Sequence, residues 1–186
     1  MSAWKQRLTK SLHQTRNQPE SRYFQLATVD TQGVPENRTV VFRQLEDEDY
    51  SLVIVSDTRS AKWESLTHQP MASICWYFSK TREQYRFTVN ARCYNRKDDK
   101  SLIETYWSKL SDAGRKQYFW GRPSSVRQND APLRVSEDMT QPPEHFSVMK
   151  FRVLAVDYLS LQGNPQHREK HWLDESGNWT TQPIVP

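Results

Sequence analysis

The sequence predicts a mainly β fold, an antiparallel sheet closed into a β-barrel or folded into a sandwich, with peripheral helices, and three observations carry that expectation. About six strand-like runs are joined by short turns, only two stretches of helical spacing interrupt them, and strand and helix do not alternate as a parallel sheet requires. Ile, Leu, Val and Phe make up only 37 of 186 residues, near the composition at which chains stop folding alone. Seven Trp, eight Tyr and seven Phe compensate, since an aromatic ring can bury roughly 150–250 Å². A net charge of +4 is too small to force expansion. The expectation is one domain over residues 1–186 whose thin, aromatic core is completed by a partner subunit.

Each element has a local reason. Trp4, Leu8 and Leu12 recur every four residues and mark one apolar helix face, which Pro19 closes. A strand over Tyr23 to Asp30 leads through the turn Asp30-Thr31-Gln32-Gly33 to a second strand around Arg38 to Leu45. Glu46 to Asp49 is an acidic hairpin loop. The strand Tyr50 to Ser56 is nearly continuous in Leu, Val and Ile, so both its faces should be covered. Ser60 can cap a helix bearing Trp63 and Leu66, which Pro70 ends. Strands over Met71 to Ser79 and Gln84 to Tyr94 follow. Asp98 to Trp120 is read as helical, with Leu102, Ile103, Tyr106, Trp107 and Leu110 as its stripe. The prolines between Gly121 and Glu144 predict a long loop, Phe146 to Leu161 a strand, and Asp174 to Asn178 the turn of a closing hairpin.

Several function classes are disfavoured. Cys75 and Cys93 have neither metal nor redox spacing, and the five histidines form no metal pattern. There is no signal-peptide stretch and no apolar run near the ~20 residues that span a bilayer. These features together predict a cytoplasmic protein without a metal or a membrane partner. The pI near 9.1 permits an anionic partner. Gln84 to Val89 faintly resembles the aromatic strands of RNA-binding sheets, but the near-balanced charge argues against a nucleic acid. No nucleophile-base arrangement is legible, so chemistry, if any, belongs to a cofactor.

Three clusters could bind one. Arg38-Thr39-Val40-Val41-Phe42-Arg43 offers guanidinium groups that suit a phosphate. Ser56-Asp57-Thr58-Arg59-Ser60-Ala61-Lys62 joins a buried strand to a helix start, where backbone N–H groups, hydroxyls and cations suit a dianion. Thr81 to Arg86 contains Gln84, whose amide can read the edge of a heteroaromatic ring. Each also has a plain reading, as a solvated edge charge, an ordinary cap or a turn.

Taken in order, with Leu26-Ala27-Thr28-Val29-Asp30, Gly33, Pro35, Val55-Ser56-Asp57 and Trp76-Tyr77-Phe78, these runs resemble the pyridoxamine 5'-phosphate oxidase family of FMN-binding split β-barrels. They look closest to its branch of related FMN-binding proteins. The resemblance implies FMN as cofactor, with Arg38, Lys62, Ser60 and the Val55–Ser56 backbone at its phosphate. It places Thr39, Val40 and Val41 along the flavin, with Arg43 beside them. Gln84 falls at the isoalloxazine and Lys170 at a flavin-contacting position. It implies a homodimer with flavins at the interface, and a small-molecule substrate held by Arg43, Tyr106 and Arg168. Ala61, Leu110 and Gln166 depart from the oxidase pattern. An oxidoreductase and a non-catalytic flavin-binding module therefore both remain open, and no catalytic residue is assigned.

Overall fold

The computed structural model describes residues 2–127 and 138–186. Its chain order is α1 (Ala3–Gln14), a 3-10 turn (Pro19–Arg22), β1 (Tyr23–Val29), β2 (Pro35–Val41), β3 (Gln44–Leu45), β4 (Ser51–Asp57), α2 (Ala61–His68), β5 (Met71–Phe78) and β6 (Glu83–Tyr94). Then follow α3 (Lys100–Ser108), α4 (Asp112–Lys116), a second 3-10 turn (Gln117–Phe119), β7 (Phe146–Ser160), β8 (His167–Leu173) and β9 (Trp179–Ile184). Every pairing is antiparallel, and the main path runs β2-β1-β5-β6-β7-β4-β3, with β8 and β9 branching from β7.

The branch originates in β7. Its first half pairs with β4 through Phe146 to Arg152, and its second half pairs with β8 through Ala155 to Ser160. Opposite β6 the register shifts between Thr88 and Val89, so that Leu154 is the extra residue. Such a bulge bends a strand and increases its twist, and here it falls where one sheet becomes two.

No ladder joins β2 to β4 among the described residues, so the barrel is split rather than closed. One end of the split is pinned by Arg43 N, which donates to Val53 O of β4 (2.9 Å), while Phe42 N donates to Arg22 O in the turn before β1 (2.7 Å). Beyond the Arg43–Val53 bond no ladder pairs β2 with β4 among the described residues, and α2 begins four residues after the end of β4.

The core is as aromatic as the composition requires. Trp4 and Leu8 of α1 are fully buried, and the Trp4 ring lies 5.3–5.8 Å from Tyr50, Phe87 and Trp179. A smaller cluster under α3 gathers Val53, Ile103, Tyr106, Trp107, Leu110, Phe146 and Val148. β4 serves both, with Leu52 and Ile54 in the main core and Val53 and Val55 in the smaller one, which explains its continuous apolar run.

Several expectations need correction. Nine strands are present among the described residues because the second predicted strand is two, β2 and β3, separated by Phe42 and Arg43, and because the closing hairpin adds its own pair. β2 also begins earlier, at Pro35, since its ladder with β1 extends from Tyr23↔Val41 to Val29↔Pro35. α1 ends at Gln14, well before Pro19, where Thr15 Oγ1 donates back to Ser11 O (2.8 Å). The predicted helix from Asp98 breaks after Ser108, and Ser111 starts a new one by accepting from Gly114 N (3.3 Å). The acidic loop is not simply solvated: Glu46 pairs with Lys150 (2.8 Å) and Asp47 with Lys5. The expected loop from Gly121 to Glu144 falls partly on residues 128–137, which lie outside the described residues.

Candidate cofactor and substrate site

The split in the barrel gathers the first cluster. Arg38 lies opposite Leu26 on β1, so its side chain points inward with the core residues and not to the outer sheet face. Its Nη1 donates to Leu26 O (3.2 Å) and Thr28 Oγ1 (2.6 Å), and its Nη2 to Glu36 Oε2 (2.7 Å). Across the gap, Lys62 in the first turn of α2 donates to Ser56 Oγ at the end of β4 (3.0 Å). Burial, and then the charge of Arg38, lower the Lys62 pKa, with Asp57 opposing them. Among the described residues Lys62 has no carboxylate within ion-pair distance. A half-buried lysine facing a second cation and satisfied only by a hydroxyl carries a cost in isolation, and a bound anion would offset it. This is the observation that fits a phosphate.

Two neighbours behave differently from expectation. Ser60 does occupy the position before α2, but its hydroxyl donates to Asp57 O (2.7 Å) instead of capping the helix. This leaves the N–H groups of the first turn without a side-chain acceptor from Ser60. Arg59 is turned away from the cradle and grips both oxygens of Asp57 (2.7–3.2 Å). Burial would raise the Asp57 carboxyl, but the hydrogen bonds from Arg59 outweigh it and hold the group below the usual carboxylate range. Val55 points into the cluster under α3, so only its backbone can face a ligand beside Ser56.

Arg43 lines a separate cavity of about 340 Å³ with Tyr106, Leu110, Lys109, Arg16 and Arg22. Burial lowers the Arg43 pKa, with a smaller contribution from Arg22, and neither arginine has a carboxylate partner among the described residues. Leu110 is buried where the oxidase pattern has an arginine, yet Lys109 supplies a cation one residue earlier. Burial and then Glu46 raise the Tyr106 pKa, which keeps its hydroxyl a donor; it now donates to Glu46 Oε1 (3.2 Å). Arg16, Arg22, Lys109 and Glu36 were not singled out from the sequence. Glu36 had a readable signal in its spacing of two from Arg38, whereas the cavity cations depend on how α1 and α3 meet.

The remaining candidates lie on the outer sheet face. Thr39 and Gln84 are both on it, but β1 and β5 stand between their strands, roughly 14 Å at ~4.8 Å per strand. Gln84 Nε2 donates to Cys75 Sγ (3.5 Å). Arg168 and Lys170 line a groove over β6, β7 and β8. Arg168 is bound to both oxygens of Asp157 (3.0 and 2.9 Å), which also accepts from Arg86 (2.5 Å), so its charge is compensated. One chain therefore holds Arg38, Ser56, Ser60 and Lys62 together, Arg43 with Tyr106, and Gln84, Arg168 and Lys170 on a different face. Val40 points inward, 8% exposed, while Val41 is partly exposed. Gln166 is exposed in the turn before β8.

A split antiparallel barrel with a cationic cradle in its gap defines a class of phosphate-anchored cofactor-binding proteins. Comparison with known proteins specifies it further. Residues 1–95 match the model of the pyridoxamine 5'-phosphate oxidase FMN-binding domain. The pyridoxine/pyridoxamine 5'-phosphate oxidase 2 of Arabidopsis thaliana is 30% identical over 195 residues, covering 100% of this chain and 98% of that protein. A pyridoxamine 5'-phosphate oxidase-related, FMN-binding protein from Nostoc punctiforme superposes with a TM-score of 0.93 at 33% identity, over 100% of this chain and 99% of the other. PhzG from Burkholderia lata, solved with tetrahydrophenazine-1-carboxylic acid, shares the fold at a TM-score of 0.84 and 18% identity, over 100% and 94% of the two chains. The chain belongs to the pyridoxamine 5'-phosphate oxidase family of FMN-binding proteins. No helix among the described residues is long and apolar enough to cross a membrane.

Proposed function

We propose that the protein is an FMN-dependent oxidoreductase acting on a small, anion-bearing substrate as a homodimer with the flavin at the subunit interface. The observation that carries this reading is the half-buried Lys62, hydrogen-bonded to Ser56 with no carboxylate partner among the described residues and facing Arg38 across the split. Those two cations hold the FMN phosphate, Ser56 and Ser60 contribute hydroxyl or backbone contacts, and the backbone of Thr39 to Val41 runs along the ring system. Bound FMN supplies the redox chemistry, hydride exchange with the substrate followed by re-oxidation with O2 as the acceptor.

The chain's own residues bind and orient. Arg43, with Lys109 and Arg22 nearby, draws the substrate's anionic group into the cavity, and Tyr106 donates to it after leaving Glu46. Gln84 and Lys170 lie on the outer sheet face, away from the side on which the same chain's cradle opens, so they are assigned to the partner's flavin. The outer face supports that arrangement: Tyr23, Val29, Met71 and Tyr77 are 37–45% exposed there, an apolar patch of the kind that marks an interface.

Purified protein should be yellow, with absorbance near ~450 nm that Arg38→Ala or Lys62→Ala abolishes. Colourless protein that takes up no added FMN would refute the reading. The compensated Arg168 and the buried Leu110 favour a second reading, a non-catalytic flavin-binding module. Steady-state oxidation of pyridoxamine or pyridoxine 5'-phosphate, or anaerobic bleaching by another small anion, decides between the two.

A further inference from the structure

The phosphate cradle contains a carboxylate. Glu36 and Arg38 lie two apart on β2 and so share its inner face. Glu36 Oε2 accepts from Arg38 Nη2 at 2.7 Å, and the Ser65 hydroxyl of α2 lies 3.4 Å from the same oxygen while donating to Ala61 O. The pair is partly buried, with side chains 21% and 35% exposed. Glu36 is not needed to aim Arg38. Two hydrogen bonds from Nη1 to Leu26 O and Thr28 Oγ1 already fix the guanidinium against β1, through atoms that the β1–β2 ladder holds in place. What Glu36 adds is charge. Asp57, the other acid close by, is committed to Arg59, so among the described residues Glu36 alone forms an ion pair with a cation of the cradle.

A phosphate dianion arriving at Arg38 and Lys62 would sit beside this carboxylate, and like charges at such range repel in a partly buried site. We infer that Glu36 is a built-in counter-anion of the phosphate cradle, holding the empty site together and displaced from Arg38 by the cofactor phosphate, so that it sets the affinity for a phosphate-bearing flavin. The inference rests on the FMN reading above. It separates two quantities that a purely structural ion pair would move together: removing the Glu36 charge weakens the apo fold and tightens phosphate binding.

The test uses the full chain carrying Glu36→Gln, with Glu36→Ala as a second variant should the first fold poorly. FMN and riboflavin affinities are read from quenching of flavin fluorescence, and apo stability from the thermal midpoint. FMN should bind several-fold to about tenfold tighter to the variant, riboflavin should be unaffected, and the apo midpoint should drop by a few degrees. Unchanged or weaker FMN binding would overturn the inference, as would equal tightening of riboflavin, which has no phosphate. If the native chain takes up no FMN, the cofactor reading fails separately. Inorganic phosphate then tests the cradle, and should raise the midpoint of Glu36→Gln more than that of the native chain; an equal rise would also overturn it.

Discussion

Lys62 shows how a candidate binding residue is recognised by what it costs the chain that carries it. Its lowered pKa means that the folded chain disfavours the ammonium. Sign follows from linkage: a group depressed in the folded state contributes stability above its unfolded pKa, ~10.4 for lysine, and loses it as pH falls through the folded value. At neutral pH the charged Lys62 therefore burdens the apo protein. Lys62→Met should raise the apo thermal midpoint by about 2–4 °C and remove the gain that the native apo protein shows as pH rises toward 10, while reducing FMN affinity by at least tenfold in a fluorescence titration. A variant less stable than the native chain at pH 7 would contradict this account. Arg38 and Lys62 were legible in the sequence because a cation opening an apolar strand and a cation just inside a helix start are local patterns. Lys109 and Arg22 were not, because no local pattern tells that the end of α3 and the turn before β1 face one cavity.

At the scale of the element, β7 and α1 do most of the organising. β7 carries Asp157, which binds Arg168 of β8 and Arg86 of β6 and so fastens the branch to the main sheet across three strands. Burial would raise the Asp157 carboxyl, but its hydrogen bonds and the arginine charges hold it below the usual carboxylate range. Its contribution is then complete above the ordinary carboxylate pKa and is lost as pH falls through the lowered one. Asp157→Asn should lower the urea midpoint at pH 7, by a margin that narrows as pH falls through the lowered carboxyl pKa. α1 plugs the core with Trp4 and Leu8, both fully buried. Leu8→Ala should destabilise the fold by about 2–5 kcal/mol in denaturant titrations, the range for truncating a buried leucine. α1 was readable from its fourfold spacing. The break between α3 and α4 was hidden because the apolar stripe of Leu102 to Leu110 runs up to it, and only Ser111 as a cap marks the new start. The bulge at Leu154 is written in the sequence as a change of phase, with inward residues at Phe151 and Val153 before it and at Val156 and Tyr158 after it, and a reading of the strand as one continuous alternation passes over it.

Across the whole molecule the proposed homodimer would account for both the shortage of aliphatic residues and the exposed sheet face. Val29 and Met71 fall side by side on the outer face, as the register of Ala27↔Ser73 extends by two residues, and both are more than a third exposed. They lie at the end of β5 away from Tyr77, which pairs with Gln84, so a change there leaves the predicted flavin-reading residues untouched. A specific dimer typically buries about 1,600 Å² in total, and charges facing each other across such a surface are poorly tolerated. The double variant Val29→Asp, Met71→Asp should therefore sediment as a monomer with its fold intact by circular dichroism. If Gln84 and Lys170 complete the partner's site, that monomer should also bind FMN at least tenfold more weakly while keeping the Arg38–Lys62 cradle. The stabilisation by excess cofactor, about 2.7 kcal/mol at a hundredfold excess over Kd in the native protein, should then shrink at the same FMN concentration. A monomeric variant with native FMN affinity would show instead that each chain holds its flavin alone, and would leave Gln84 and Lys170 without the role assigned to them.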